Sequence, residues 1–374
     1  RIICPCATLR VSLFRATYTA GRCRASKAMS ADIEQRKADH LDLCATDEVA
    51  FRKRTTLLEC VRLVHQSLPE TSYASVDTRV RLLGKELRAP LLIAAMTGGH
   101  ERAAEINQEL AAIADELGLA FGLGSQRAMQ KRPETSWTYK VRKRAPNVLL
   151  LGNVGVVQVR DMSTAAVAGI LDEVGADALC VHMNPAMELI QPGGDRDFSG
   201  GLQTFQRLWA ELDVPVIAKE TGNGISREVA AKLRATGIRH ADTSGAGGTS
   251  WVGVETLRAD DEARELGEAL WDWGIPTAAS VQYCVDAGLT TIATGGIRSG
   301  MDVARALALG ASCAGIARNV YQAFIEGGTD GARAFLLQVE RELRSVMLLC
   351  GASTIEELQG APKVITGELR DWLD

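Results

Sequence analysis

The sequence is poor in the features that mark several protein classes. None of its apolar runs approaches the ~20 residues that a membrane-spanning helix needs, so no membrane span is expected. Positive charge is not in excess. The 42 Lys+Arg against 46 Asp+Glu leave a formal net charge of −4, which gives no field to hold nucleic acid or an acidic membrane. The nine cysteines are scattered, and the closest pair, Cys4 and Cys6, has no second pair at metal-ligand spacing. That argues against a disulfide framework and a zinc site, and favours reduced thiols in a cytoplasmic protein. No early Gly-x-Gly-x-x-Gly turn with an acid some 20 residues on is present, so an open dinucleotide-binding sheet is not indicated. Low-complexity linkers and repeats of 20–50 residues are also lacking.

Residues 1–28 stand apart. They contain Arg1, Arg10, Arg15, Arg22, Arg24 and Lys27 and no acidic residue. Two readings exist: a transit-like peptide, or a leader or non-native extension ahead of a natural start at Met29-Ser30-Ala31-Asp32. The second is favoured, because the patterned sequence begins only a few residues after Met29. This stretch is expected to be disordered and outside the folded unit, leaving 29–374 as a single domain.

What is present is a regular alternation. Short apolar runs at Pro90–Met96, Leu119–Gly124, Asn147–Asn153, Ala176–Met183, Val214–Lys219, Arg239–Ser244, Thr290–Thr294 and Ala311–Ile316 read as strands. Amphipathic stretches at Ile106–Leu117, Ala165–Val174, Leu202–Glu211, Arg227–Ala235 and Val303–Leu309 read as helices between them. Eight strands alternating with helices predict an α/β fold, a closed (β/α)8 TIM barrel over about 90–330. The segments 31–88 and 332–374 would be N- and C-terminal extensions that cover barrel ends or subunit contacts. A chain of 374 residues, 46% of them hydrophobic, suits a barrel of roughly 250 residues with additions.

Glycines and polar residues gather at the C-terminal ends of these strands, the end where a barrel builds its active site. Gly295-Gly296-Ile297-Arg298 after strand seven and Gly315-Ile316-Ala317-Arg318 at the end of strand eight have the form of a phosphate site, although tight turns alone would need similar glycines. Lys219, at the end of strand five, is placed to stabilise negative charge on a flavin ring, or to form an ordinary salt bridge. Thr97, Ser125, Asn153 and Thr249 bring hydrogen-bonding groups to the same rim. His182, Asn184, Met187 and Glu188 follow strand four. Glu188 or the nearby Asp195 would suit Mg2+, which takes one or two carboxylates together with phosphate oxygens and water. Arg36-Lys37-Ala38-Asp39-His40, outside the barrel, is either a solvated face or a clamp for a diphosphate.

These motifs in this order resemble the type 2, FMN-dependent isopentenyl-diphosphate delta-isomerase family, from about Gln35 to the end of the barrel. The matching stretches are Arg36-Lys37-x-x-His40, Met96-Thr97-Gly98-Gly99, Gly124-Ser125-Gln126-Arg127, Gly152-Asn153-x-Gly155, His182-x-Asn184, Lys219-Glu220, Ser244-Gly245-x-Gly247-Gly248-Thr249-Ser250-Trp251 and Gly295-Gly296-Ile297-Arg298. The resemblance implies that Met96, Thr97, Gly98, Ser125, Asn153, Lys219 and Thr249 hold FMN. Gly296, Ile297, Arg298, Ala317 and Arg318 would take its phosphate. Arg36, Lys37, Arg127, His182 and Asn184 would hold a small prenyl diphosphate, with Glu188 on Mg2+. It further implies FMN reduced by NAD(P)H as the acid–base group that moves a double bond, and a homo-oligomer, tetramer or octamer.

One position departs from the family pattern. The family has His-x-Asn-x-x-Gln-Glu, and here the Gln position is Met187. A thioether has no proton to donate, though it packs well against an isoprene chain. Full isomerase activity is therefore one expectation. An FMN oxidoreductase, or a prenyl-diphosphate-binding paralogue with altered chemistry, is the other.

Overall fold

The computed structural model describes residues 35–374; the leader expected over 1–28 lies outside them. Its centre is a closed barrel of eight parallel strands: β1 Leu91–Ile93, β2 Ala120–Gly122, β3 Leu149–Gly155, β4 Ala178–Met183, β5 Val216–Glu220, β6 His240–Asp242, β7 Thr290–Ala293 and β8 Cys313–Ile316. Each strand pairs with the next in sequence, and the ring closes where Ala314–Ile316 lie beside Leu91–Ile93. All eight lie inside or beside the runs expected from the sequence. The strands are apolar on both faces because both are buried. Leu92, Leu149, Leu151, Cys180, Ile217 and Ile292 fill the barrel interior, whereas their neighbours Leu91, Ile93, Leu150 and Val181 pack outward against the helices.

The five expected helices are present as Glu101–Leu117, Thr164–Val174, Gly201–Glu211, Arg227–Ala235 and Gly300–Ala308. Between β6 and β7 the chain adds Trp251–Arg258, Asp261–Leu270 and Thr277–Asp286, which are not among the helices expected from the sequence. The first two start on Ser250 and Asp260, whose side chains accept from backbone N–H groups of the first turn.

The extensions close the two ends of the barrel differently. Val80–Leu82 and Lys85–Leu87 form an antiparallel hairpin turned through Leu83 and Gly84, both at positive φ. Leu82 and Leu87 join the barrel-interior cluster, and Lys85 Nζ donates to Val148 O and Asp177 just before β3 and β4 begin. The hairpin is thus an apolar plug at the N-terminal end. At the opposite rim, the helix over residues 35–44 lies across the strand ends. Behind it, Val61–Leu63 pairs antiparallel with Lys363–Ile365, so the segments before and after the barrel are joined. The helix Arg318–Leu349 is interrupted at Gly328, which has φ 61°. Among the described residues no helix is long and apolar enough to cross a membrane.

Candidate active site

The C-terminal rim surrounds a cavity of about 230 Å³. Of the residues that the family resemblance assigns to the site, all but Gly98 line it. Gly98 lies behind the wall, where a Cβ would run into the Tyr139 ring.

The floor is a buried ionic layer. Lys219 and Asp242 are directly opposed in the register of β5 and β6, and Lys219 Nζ donates to Asp242 Oδ2 at 2.9 Å. Burial alone would lower the Lys219 pKa; the Asp242 carboxylate outweighs it, and the net shift is upward. Beside this pair, Asn153 Nδ2 donates to Leu123 O, which turns Asn153 Oδ1 towards His182 Nδ1 at 2.8 Å. Nδ1 of His182 therefore carries the hydrogen. Burial, with Lys219 and Arg127 nearby, pushes the His182 pKa down to about 3. The ring is neutral and its Nε2 is an acceptor.

One end of the cavity is made largely of backbone. The loops after β6 and β7 touch main chain to main chain: a Cβ on Gly248 would meet Gly296 N at 2.3 Å, and one on Gly296 would meet Gly247 O at 2.8 Å. Gly296 is also held at φ 74°. Only glycine satisfies both demands. Arg298, expected at the phosphate, is already engaged. Its N–H donates to Asp302 and its Nη2 to Gly247 O, so it ties the two loops together. Across from it the helix Arg318–Leu349 begins with no side-chain cap, and Ala317, Arg318 and Asn319 face the cavity. Arg318 Nη1 is buried without a hydrogen-bond partner. Uncapped N–H groups beside an orphaned guanidinium nitrogen are what a phosphate group would satisfy.

The other end is made of charged side chains. Arg127 Nη1 stands 3.5 Å from Glu188 Oε1 and 3.4 Å from Asp195 Oδ2. Glu188 is oriented by Asn184 Nδ2 at 3.2 Å and by the Asp195 N–H at 2.7 Å. Among the described residues no group of three or more His, Cys, Asp or Glu could hold a metal by itself. The donor set suits an ion that takes one or two carboxylates here and completes its shell with a ligand's oxygens and water. Met187 lines the same region, with its sulfur 3.8 Å from Asn184 Nδ2.

The helix over residues 35–44 splits the Arg-Lys pair. Arg36 lines the cavity. Lys37 lines it as well but is tied down: it donates to Gly98 O, to Tyr139 Oη at 2.9 Å and weakly to Ser125 O. Burial, with Arg36 and Arg132 close by, lowers its pKa to about 7. These bonds make Lys37 a peg that fixes this helix to the rim, at the wall of the cavity where the sequence suggests a point charge for a diphosphate.

Four participants are not evident from the sequence motifs. Glu255 is fully buried and joins His40 Nε2 at 2.7 Å to Arg258 at 2.6 Å. Gln158 holds Asp195, Tyr139 anchors Lys37, and Asp242 holds Lys219. None of the four leaves a clear signal in the sequence, and Asp242 lies in the polar stretch Arg239-His240-Ala241-Asp242-Thr243-Ser244.

Comparison with known proteins agrees with this layout. Solved structures of mandelate oxidase share the fold. A point mutant described with a monooxide FMN adduct superposes with a TM-score of 0.63 at 20% identity, covering 87% of this chain and 95% of that one. A second, with (S)-mandelic acid, gives 0.63 at 19% identity, covering 90% and 98%. The family model for FMN-dependent dehydrogenases matches residues 29–146 and 186–365. Isopentenyl-diphosphate delta-isomerase of Methanothermobacter thermautotrophicus is 45% identical over 91% of this chain and 96% of its own. That of Pyrococcus furiosus is 42% identical over 91% and 88%. The chain belongs to the isopentenyl-diphosphate delta-isomerase family, type 2, within the FMN-dependent dehydrogenases.

Proposed function

We propose that this chain interconverts isopentenyl diphosphate and dimethylallyl diphosphate with reduced FMN and Mg2+, NAD(P)H being the reductant. The observation that carries this reading is a single cavity with two separate anion-holding ends, one of backbone N–H groups and one of arginines beside a carboxylate. The first suits a resident phosphate and the second a metal-bound diphosphate. When bound, reduced FMN supplies the acid–base group that exchanges a proton with the substrate's carbon skeleton.

The chain's own residues hold and orient. The Gly296 loop, Ala317 and Arg318 take the cofactor phosphate, and Met96, Thr97, Ser125, Asn153, Lys219 and Thr249 line the space for its ring. Arg36 and Arg127 hold the diphosphate with Asn184. Neutral His182 accepts a hydrogen bond through Nε2, from a protonated phosphate oxygen or a metal-bound water. Glu188 gives Mg2+ a carboxylate, and binding of that ion releases Arg127 towards the phosphates. Met187 offers an apolar wall and no proton, so isomerisation persists at reduced rate.

The test is to reduce the purified flavoprotein with dithionite under nitrogen, add isopentenyl diphosphate and Mg2+, and measure dimethylallyl diphosphate. Product formed with only catalytic amounts of reductant is expected. Steady NAD(P)H consumption in step with product would mark an oxidoreductase instead, and tight binding without conversion a binding protein.

A further inference from the structure

The buried Lys219–Asp242–Thr294 chain is larger than a lysine at a ring edge requires. Its three members come from consecutive strands β5 and β6 and the end of β7, at one level of the barrel. The Lys219 and Asp242 side chains retain only 9% and 2% of their exposure. Hydrogen-bond directions are fixed by the backbone. The Ser244 N–H donates to Thr294 Oγ1 at 2.9 Å, so the Thr294 hydroxyl donates onward, to Asp242 Oδ1. Lys219 donates to Asp242 Oδ2 at 2.9 Å and to Glu220 O at 3.2 Å. Thr294 and Lys219 thus each donate to one oxygen of Asp242, which accepts at both. An ammonium has three N–H donors; two are used in these bonds, and one is left for the cavity that Lys219 lines.

We infer that Asp242 is a positioning residue that keeps a proton permanently on Lys219, so that the flavin site has a fixed positive charge before any negative charge arrives. This rests on the proposed flavin site and deepens it. A lysine buried without a partner gives up its proton readily. The other titratable groups facing Lys219 do not replace Asp242. Cys180 on β4 is a thiol whose pKa is pushed up to about 12, chiefly by burial. His182 on β4 is neutral. Glu220 on β5 is itself buried, which pushes its pKa up to about 7, and its Oε2 is turned to the Gly222 and Gly224 N–H groups. With Asp242 in place, reduction of bound flavin to a form carrying negative charge at N1 takes two electrons and one proton, the proton going to the ring. Without it, a second proton must be recruited from solvent to Lys219 Nζ as that charge appears.

The experiment is a redox titration of the FMN-loaded protein with dithionite over a range of pH, comparing the wild type with Asp242→Asn, Lys219→Met and the double variant. Expected in Asp242→Asn are a lower reduction potential and, near neutral pH, one more proton taken up per flavin than in the wild type. The double variant should titrate like Lys219→Met alone, because Asp242 acts through Lys219. An unchanged or raised potential with the wild-type proton count would overturn the inference, as would a double variant that differs from Lys219→Met. If Asp242→Asn does not fold, Thr294→Val removes one donor to the carboxylate and should shift the potential in the same direction by less; no shift there would count equally against it. Failure of the flavin reading looks different: Lys219→Met would then change neither FMN affinity nor potential.

Discussion

The two ends of the cavity recognise negative charge by different means. At the β7–β8 end the donors are main-chain N–H groups, held by glycines packed backbone to backbone and by the start of a long helix. At the β4 end they are side chains, Arg36 and Arg127, with Glu188 and Asp195 countering Arg127. Backbone donors are rigid and carry no net charge, so they are ready before the ligand arrives and suit a cofactor that stays. Charged side chains neutralise one another and must change partners, which suits a substrate that comes with a metal and leaves as product. On the proposed function, pre-organisation would fall to the resident group and adjustability to the exchanging one.

The sharpest way to break this contrast is at Gly296. A leucine there is strained at φ 74° and drives into Thr56 and Gly247. Gly296→Leu should weaken FMN binding more than a hundredfold, about 2.7 kcal/mol, measured by flavin fluorescence on reconstitution. Wild-type affinity would place the phosphate elsewhere.

Met187, on the helix Pro185–Ile190 at the side-chain end, comes next. Met187→Gln should raise turnover with chemically reduced flavin, by up to about 10²-fold if the amide takes part in proton transfer. A rate equal to or below that of the wild type would show that the missing amide does not limit this enzyme.

Glu188→Gln keeps volume and removes charge. It should raise the Mg2+ concentration needed for half-maximal activity on the order of tenfold or more while leaving FMN affinity intact. Equal losses in both would mean that the two ends are not independent.

The Arg36 and Lys37 variants separate clamp from peg. Arg36→Ala should raise the substrate's dissociation constant about tenfold, or ~1.4 kcal/mol. Lys37→Met should instead lower thermal stability, because it frees the helix over residues 35–44, with a smaller effect on affinity. The reverse pattern, read by calorimetry and binding titration, would return Lys37 to the diphosphate.

A separate test concerns the dependence of stability on pH. Folding holds the His182 pKa at about 3 against its ordinary 6.5. Between those values the unfolded chain binds a proton that the folded chain refuses, so stability falls as pH drops from 6.5 towards 3. His182→Gln should lose less melting temperature than the wild type between about pH 7 and about pH 4.5. An identical loss would assign the acid sensitivity to other groups.

The contrast also explains what the sequence reveals. The backbone end is legible, because the eight apolar runs place several glycine-rich strand ends on one rim, a clustering that isolated turns would not produce. The side-chain end is legible only as residue types. That Lys37 is tied to Gly98 and Tyr139 at the cavity wall beside Arg36 depends on the seating of one helix. Glu255 sits on a helix that no clear apolar period announces. The strand pairing of Val61–Leu63 with Lys363–Ile365 joins segments too short and too distant to signal each other.

That last pairing has a consequence for the order of assembly. The cavity draws on Arg36 at one extreme and Tyr321 at the other, and the segments flanking it are clasped by residues 61–63 and 363–365. Contacts between such remote parts of a chain cost the most loop entropy and form late. During synthesis the barrel strands can collapse while the clasp is still missing. The pocket is complete only once nearly the whole polypeptide has emerged. Flavin capture is therefore expected to come late, once the residues up to Tyr321 have emerged and the flanking segments are clasped.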